Sequence, residues 1–334
     1  MTAGAAPSTV PALPPGYTWR RPTLADVAAV RDVVAAYDAV HSPETAVTLE
    51  DVRAELDNRE ADLGTRAWLV LDPAGGPVGF GIVFRDDNAG ELFCDAYHRP
   101  REDAGVGDAV ARWLVPTLVE RAREVAREAG RAFTVSAGTY ADDPVLPALL
   151  EGEGLRVARR FLTMLLDLDP ADPPPPPPHL PGITVRLVDP SDASDLQAFH
   201  RVLDTAFVDH FDHHQRTWDL WWQDQQESAG LDLSQWWLAL DGDQPVGALL
   251  ATDRVAAEGR GNVRGLGVLR GARGRGVARA LLLTCFAECL RRGRTSVELG
   301  VDSDSLTGAT RLYESVGMRV IRQVDLYRGA AVPG

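Results

Sequence analysis

Residues 269–282 read LRGARGRGVARALL, with four arginines and three glycines in fourteen positions. The pattern suits an anion. Glycines let backbone N–H groups approach a ligand closely. The VARALLL stretch that follows opens a helix, whose first N–H groups lack partners and carry the positive end of the dipole. GNVRGLGV (261–268), just before the loop, has the composition of a short strand, although its glycines weaken that reading. The loop sits in a chain of formal net charge −14, with 48 Asp and Glu against 34 Lys and Arg. Such a balance argues against a general nucleic-acid binder. No aromatic residues interleave Arg264, Arg270, Arg273, Arg275 and Arg279, as a single-strand platform would require. An acidic surface suits cationic partners such as amines and is equally a solubility device.

Other anion loops fit less well. A Walker loop needs Lys followed by Ser or Thr, and neither is in place. Gly274-Arg275-Gly276 gives the start of a dinucleotide fingerprint, and Glu298 lies about twenty residues on, where a ribose ligand belongs. But Arg279 stands at the third glycine, and the surrounding pattern does not alternate strand and helix. A solvated basic turn is the plain alternative.

The stretch Val268–Ala278 resembles the acyl-CoA loop of the GNAT superfamily of N-acyltransferases, whose core (Gln/Arg)-x-x-Gly-x-(Gly/Ala) reads here Arg273-x-x-Gly276-x-Ala278. Arg270 replaces the usual early proline. VDSDSLTGATRLYESVGM (301–318) resembles the family's later motif, with Tyr313 on its tyrosine and Ser305 where Asn is common. The resemblance covers residues 183–328 well and the first half weakly. It implies acetyl-CoA as cosubstrate. Its pyrophosphate would lie on backbone N–H groups around Arg273, Gly274, Gly276 and Ala278, with arginine side chains adding charge. Leu266, Gly267, Val268, Arg275, Val277 and Ser305 are the other expected cofactor-binding residues. The Val268 N–H would polarise the thioester carbonyl. Tyr313 would protonate the departing thiolate as general acid, unless it is a half-buried core tyrosine. The attacking amine needs a base. In SVELGVD, Ser296, Glu298, Gly300 and Asp302 share the face opposite Val297, Leu299 and Val301. Glu298 is the first candidate, acting directly or through water, and a structural carboxylate otherwise. Acceptor binding in this fold falls on the early helices, here AFVDHFDHHQRTWDLWWQDQQE (206–227). His210, Phe211, Trp218 and Trp222 are the expected acceptor wall, or else core or domain interface. The nearby Asp and His residues lack a clean metal spacing, and the family needs no metal.

These motifs need a scaffold, and the chain shows it twice. DPADPPPPPPHLPG (169–182) is a proline-rich connector that favours stiff polyproline II over packed structure. On either side of it the sequence echoes itself in one order, at an offset of roughly 165–170 residues. YTWRRPTLADVAAV pairs with ITVRLVDPSDASDL, WLVLDPAGGPVGF with WLALDGDQPVGA, and LLEGEGL with LYESVGM. The second pair reads as β-hairpins, and the whole as an internal duplication. The expected fold is α+β: two tandem GNAT-like domains, each a mixed, mostly antiparallel β-sheet flanked by α-helices. Residues 1–16 read as a disordered lead, not a secretory signal. Residues 17–168 form a degenerate domain, 169–182 the linker, and 183–330 the acyl-CoA domain.

The first half is expected to be non-catalytic. In YHRPREDAGVGDAV (97–110), Pro100, Gly105 and Gly107 survive, but Glu102 and Asp103 stand near the family's Arg-Gly. Two carboxylates would repel a pyrophosphate. Leu150 replaces the tyrosine. Cys285 and Cys289 lie on an apolar helical stripe and read as core thiols, while Cys94 stands alone, and a reduced, cytoplasmic setting is the default expectation. The expected partners are acetyl-CoA and a small-molecule amine or peptide, with no nucleic acid and no membrane, in a monomer or homodimer. The tandem arrangement is also similar in architecture to the mycothiol synthase family, which acetylates a cysteinyl glycoside. A non-catalytic acyl-CoA sensor is the rival reading.

Overall fold

The computed structural model describes residues 10–43, 47–100, 106–208, 215–227, 231–304 and 308–332. The first half runs β1 (Thr18–Arg20), α1 (Val27–His41), α2 (Leu49–Leu56), β2 (Ala67–Leu71), β3 (Pro77–Asp86), β4 (Glu91–His98), α3 (Val106–Ala129), β5 (Phe133–Tyr140), α4 (Leu146–Gly152) and β6 (Arg156–Asp167). The second repeats the order: β7 (Ile183–Leu187), α5 (Ala193–Phe207), α6 (Trp218–Glu227), β8 (Trp236–Asp241), β9 (Gln244–Thr252), β10 (Arg260–Val268), α7 (Val277–Arg291), β11 (Ser296–Asp302), α8 (Ala309–Ser315) and β12 (Arg319–Ala331). The two hairpins read from the sequence are β2–β3 and β8–β9.

Two compact units result, and they are not consecutive blocks of chain. One holds residues up to 160 together with 322 onward; the other holds 161–321. In the first, β1, β2, β3 and β4 pair antiparallel, β4 and β5 parallel, and β5 with β12 antiparallel. In the second, β7, β8, β9 and β10 pair antiparallel, β10 and β11 parallel, and β11 with β6 antiparallel. Each mixed sheet takes its last strand from the other half of the repeat. The units therefore depart from the blocks 17–168 and 183–330, because strand pairing moves 161–167 to the second and 322–332 to the first.

In the second unit, α7 lays Leu281, Leu282, Cys285, Phe286 and Cys289 against the sheet, all fully or almost fully buried. Each large apolar side chain so buried contributes roughly 1.5–3 kcal/mol. All three cysteines are free and buried, Cys285 and Cys289 as their apolar stripe suggests. On the opposite face α5 lies close to β10, where a Cβ at Gly267 would stand 2.8 Å from that of Ala206. The glycines that weaken the strand reading of 261–268 are thus what lets a helix approach it. The proline run has no helix or strand, yet Leu180 at its end packs on the second unit's core.

The feature that makes a site is a fork. Parallel pairing of β10 and β11 stops at Val263 and Leu299. Beyond it β11 stays with β6 as far as Asp302, while β10 stays with β9 as far as Val268, with a register shift at Arg264.

Candidate active site

The fork opens into a cavity of about 370 Å³. Residues 263–268 of β10 form one wall, and Leu299, Gly300, Val301 and Asp302 of β11 the other. Arg273, Gly274, Gly276, Val277, Ala278 and Arg279 close one end, and Ala309, Leu312 and Tyr313 of α8 line it as well. Gly274 and Gly276 have φ of 74° and 84°, a left-handed backbone that any other residue adopts only under strain. Gly276 immediately precedes α7, and no side chain caps the helix there. The first N–H groups of α7 are therefore not capped by a side chain and stand beside the cavity, in the arrangement that favours an anion.

The arginines divide. Arg273 and Arg279 line the cavity, and both are tethered to the protein. Arg273 Nε donates to the Val268 carbonyl at 3.1 Å. Arg279 Nη1 donates to the Ser315 carbonyl at 2.9 Å and to its Oγ at 3.2 Å. Arg275 does not line the cavity; it pairs with Asp241 at 2.5 Å. Leu266, Gly267 and Val268 all line it. The Leu269 N–H donates to the Val246 carbonyl on the β9 side. Antiparallel alternation then turns the Val268 and Leu266 N–H groups to the opposite edge, the one β11 has left. Ser305 lies outside the described residues.

Tyr313 is 8% exposed, and burial pushes its hydroxyl up to about 12. It stays protonated at neutral pH, as a general acid must. Glu298 is not part of the cavity wall. Its Oε2 accepts from Arg260 Nη1 at 3.1 Å and its Oε1 from Asn262 Nδ2 at 3.4 Å. Val297 and Leu299 pack into the core under α7. Strand alternation therefore puts Glu298 on the opposite sheet face, where α5 lies.

That face carries a second cavity of about 330 Å³, lined by His200, Leu203, Asp204, Arg216, Trp221, Asp224, Gln225 and Leu250. It shares Phe207, Arg264 and Gly265 with the first, so the two meet at the bulge of β10. Of the expected acceptor wall, His210 and Phe211 lie outside the described residues. Trp218 and Trp222 stack on one another at 5.2 Å and pack against the core around Phe199 and Trp236. The tryptophan that lines the cavity is Trp221. His200 and Asp204 escape a motif search because no family pattern marks them. Their spacing with Phe207, at positions i, i+4 and i+7 of α5, is the signal that would find them. Phe207 and residues 299–302 likewise belong to no motif and reach the cleft only through the packing of α5 and the fork.

The first unit has the same fork, ending its parallel pairing at Cys94 and Ala137. There the space between α3, α4 and the two strands is a void of about 10 Å³, lined by Leu118, Val119, Leu146 and Leu150 among others. Leu150 occupies the place in α4 that Tyr313 has in α8. Tyr37 packs against Tyr97, His98 and Tyr140, and donates to Asp143 Oδ2 at 2.6 Å. Glu102, Asp103 and Gly105 lie outside the described residues. Among the described residues no cluster of three or more His, Cys, Asp or Glu could hold a metal, and no helix is long and apolar enough to cross a membrane.

The chain matches the acetyltransferase (GNAT) family over residues 196–318. It is similar to the crystal structure of a GCN5-related N-acetyltransferase from Sphaerobacter thermophilus, with 31% identity, a TM-score of 0.79, and coverage of 97% of this chain and 98% of that one. A tandem GNAT protein from the clavulanic acid biosynthesis pathway shares the fold, with a TM-score of 0.66 at 16% identity over 95% of this chain and 99% of that one. A protein of Clavibacter sepedonicus named mycothiol acetyltransferase is 29% identical over 315 residues, 89% of this chain and 94% of its own.

Proposed function

Because the chain belongs to the GNAT acetyltransferase family, we propose that its second unit transfers an acetyl group from acetyl-CoA to a primary amine of a small molecule or peptide. The observation that carries this reading is the forked cavity of about 370 Å³, with an uncapped helix start at one end and Tyr313 in its wall. Backbone N–H groups at Gly274, Gly276, Val277 and Ala278 would take the pyrophosphate. The Leu266 and Val268 N–H groups face the edge along which an extended acyl arm would lie. The Val268 N–H would stabilise the charge that develops on the thioester oxygen. The amine nitrogen attacks the carbonyl carbon from the α5 side. The tetrahedral intermediate then collapses, the C–S bond breaks, and the thiolate takes the Tyr313 proton. Glu298, held by Arg260 and Asn262 on that same face, would accept the amine's proton through water.

A void of only about 10 Å³ between the described residues at the first unit's fork, with Leu150 at the tyrosine position, supports the reading of one acetyl-CoA per chain. The first unit's role in this reading is structural or substrate-shaping. The likeness to a mycothiol acetyltransferase over 94% of that protein favours, as a second reading, a cysteinyl glycoside as the acceptor. The test is thiol release from acetyl-CoA over a panel of amines, polyamines, aminoglycosides, peptide N-termini and a cysteinyl glycoside. Amine-dependent release is expected. Binding of acetyl-CoA with no release by any acceptor would make the protein a sensor instead.

A further inference from the structure

The second cavity contains a side chain that the proposed reaction does not use. His200 is 7% exposed, lines that cavity, and its Nε2 has no hydrogen-bond partner. Buried polar atoms are normally satisfied, so an orphan on a cavity wall points to a ligand atom that satisfies it. The ring is fixed in place. Trp221 lies 4.8 Å from it and Trp218 5.9 Å, centroid to centroid. The Arg216 backbone acts on the imidazole as well. A neutral imidazole carries one N–H and one bare lone pair, so the unpartnered Nε2 accepts in one of its two tautomers. Burial lowers the ring's pKa, against the opposing pull of Asp204 and with Arg201 reinforcing it, so the neutral form prevails at pH 7.

We propose that His200 is a specificity residue for the acceptor. Its Nε2 accepts a hydrogen bond from a hydroxyl or amide N–H that the acceptor carries at a distance from its reactive amine. This rests on the proposed acetyl transfer only in taking the second cavity as the acceptor's. The span follows from α5. Phe207 marks the junction with the acyl cavity, and His200 lies seven residues back on the same face. At 1.5 Å per residue that is roughly 10 Å. The acceptor is therefore elongated, with an amine at one end and a neutral donor at the other. Charge on the walls agrees. Asp204 and Asp224 stand against Arg216 and Arg264, and Arg216 is paired with Asp224. So balanced a wall favours an acceptor without a second full charge.

The experiment compares α,ω-amino alcohols of three to ten carbons with the matching alkylamines, by kcat/KM in the full-length protein. The hydroxyl is expected to improve kcat/KM about tenfold, the equivalent of one good hydrogen bond, at a chain length near 10 Å and not at shorter ones. His200→Leu should abolish that preference, read as the ratio of kcat/KM for each amino alcohol to that for its matching alkylamine. His200→Gln, which keeps an acceptor atom near the Nε2 position, should restore part of it. A preference that persists in His200→Leu, or is absent in the wild type, overturns the proposal. Should the wild type release no thiol with any amine, the acetyl-transfer reading fails instead. Calorimetric binding of the same pairs to the CoA-loaded wild type and His200→Leu then decides the role of His200 by itself.

Discussion

Glu298 Oε2 lies 3.1 Å from Arg260 Nη1, and each side chain is 11% exposed. Arg260 also reaches Glu258 at 3.3 Å, so the pair belongs to a small network one rung below the fork. Removing one partner of a buried pair leaves the other charge uncompensated, at a cost of about 3–5 kcal/mol. Glu298→Ala is expected to lose stability on that scale in urea unfolding. Glu298→Gln keeps an oxygen for Asn262 and should lose less. If Glu298 also takes the amine's proton, the folded Gln variant loses kcat beyond any loss of stability. An unchanged kcat in that variant would leave the residue a purely structural role.

Tyr313→Phe removes the acid and little volume. We expect kcat to fall about 10²- to 10⁴-fold, with acetyl-CoA affinity held within about twofold, as read by single-turnover kinetics and equilibrium binding. The pH dependence follows from burial, which raises the hydroxyl from its ordinary value near 10 to about 12. Below pH 10 the residue is protonated in both folded and unfolded chains, so kcat shows no alkaline fall from Tyr313 up to that point. Its raised value favours folding fully below pH 10. That contribution is lost as pH rises towards 12, where the unfolded chain has already released the proton.

Gly274 and Gly276 separate backbone strain from crowding. Alanine at either must adopt a positive φ, which costs roughly 1–2 kcal/mol. At Gly274 a Cβ meets nothing within 4 Å, whereas at Gly276 it would lie 3.3 Å from Leu180 Cδ2. Gly276→Ala is therefore expected to weaken acetyl-CoA binding more than Gly274→Ala and to lower the melting temperature further. Equal effects would mean that Leu180 gives way freely.

The loop and Tyr313 are legible in the sequence because both are local signals. Glycines at 274 and 276 encode their own backbone, and the helix start lies one residue on. The repeat is legible for the same reason, echo by echo. Arg275 is read as a phosphate ligand because spacing alone cannot reveal Asp241, which belongs to a hairpin more than thirty residues earlier. His200 and residues 299–302 enter the site only through packing and the fork. The strand exchange is equally hidden. RVARRFLTMLLD has the pattern of a strand, but nothing in it says that residues 161–167 pair with β11.

A truncation after Ile321 tests that exchange. It removes Val324–Ala331, which pair with Phe133–Tyr140, and leaves the pairings β7–β8, β8–β9, β9–β10, β10–β11 and β11–β6 intact. Amide exchange should speed up in β5 and its neighbours, while β8, β9 and β10 keep their protection. Loss of protection across both units alike would contradict the division at residues 160 and 321.

The same exchange sets an order of manufacture. A ribosome delivers the first unit's helices and five of its strands early, yet the open side of β5 waits for a strand made roughly 190 residues later. At about 5–20 residues per second that wait lasts roughly ten to forty seconds. Meanwhile a bare strand edge is a template for wrong pairing. The half translated first is the half finished last, so the nascent chain, more than the mature protein, is where this architecture is exposed to aggregation and to chaperones.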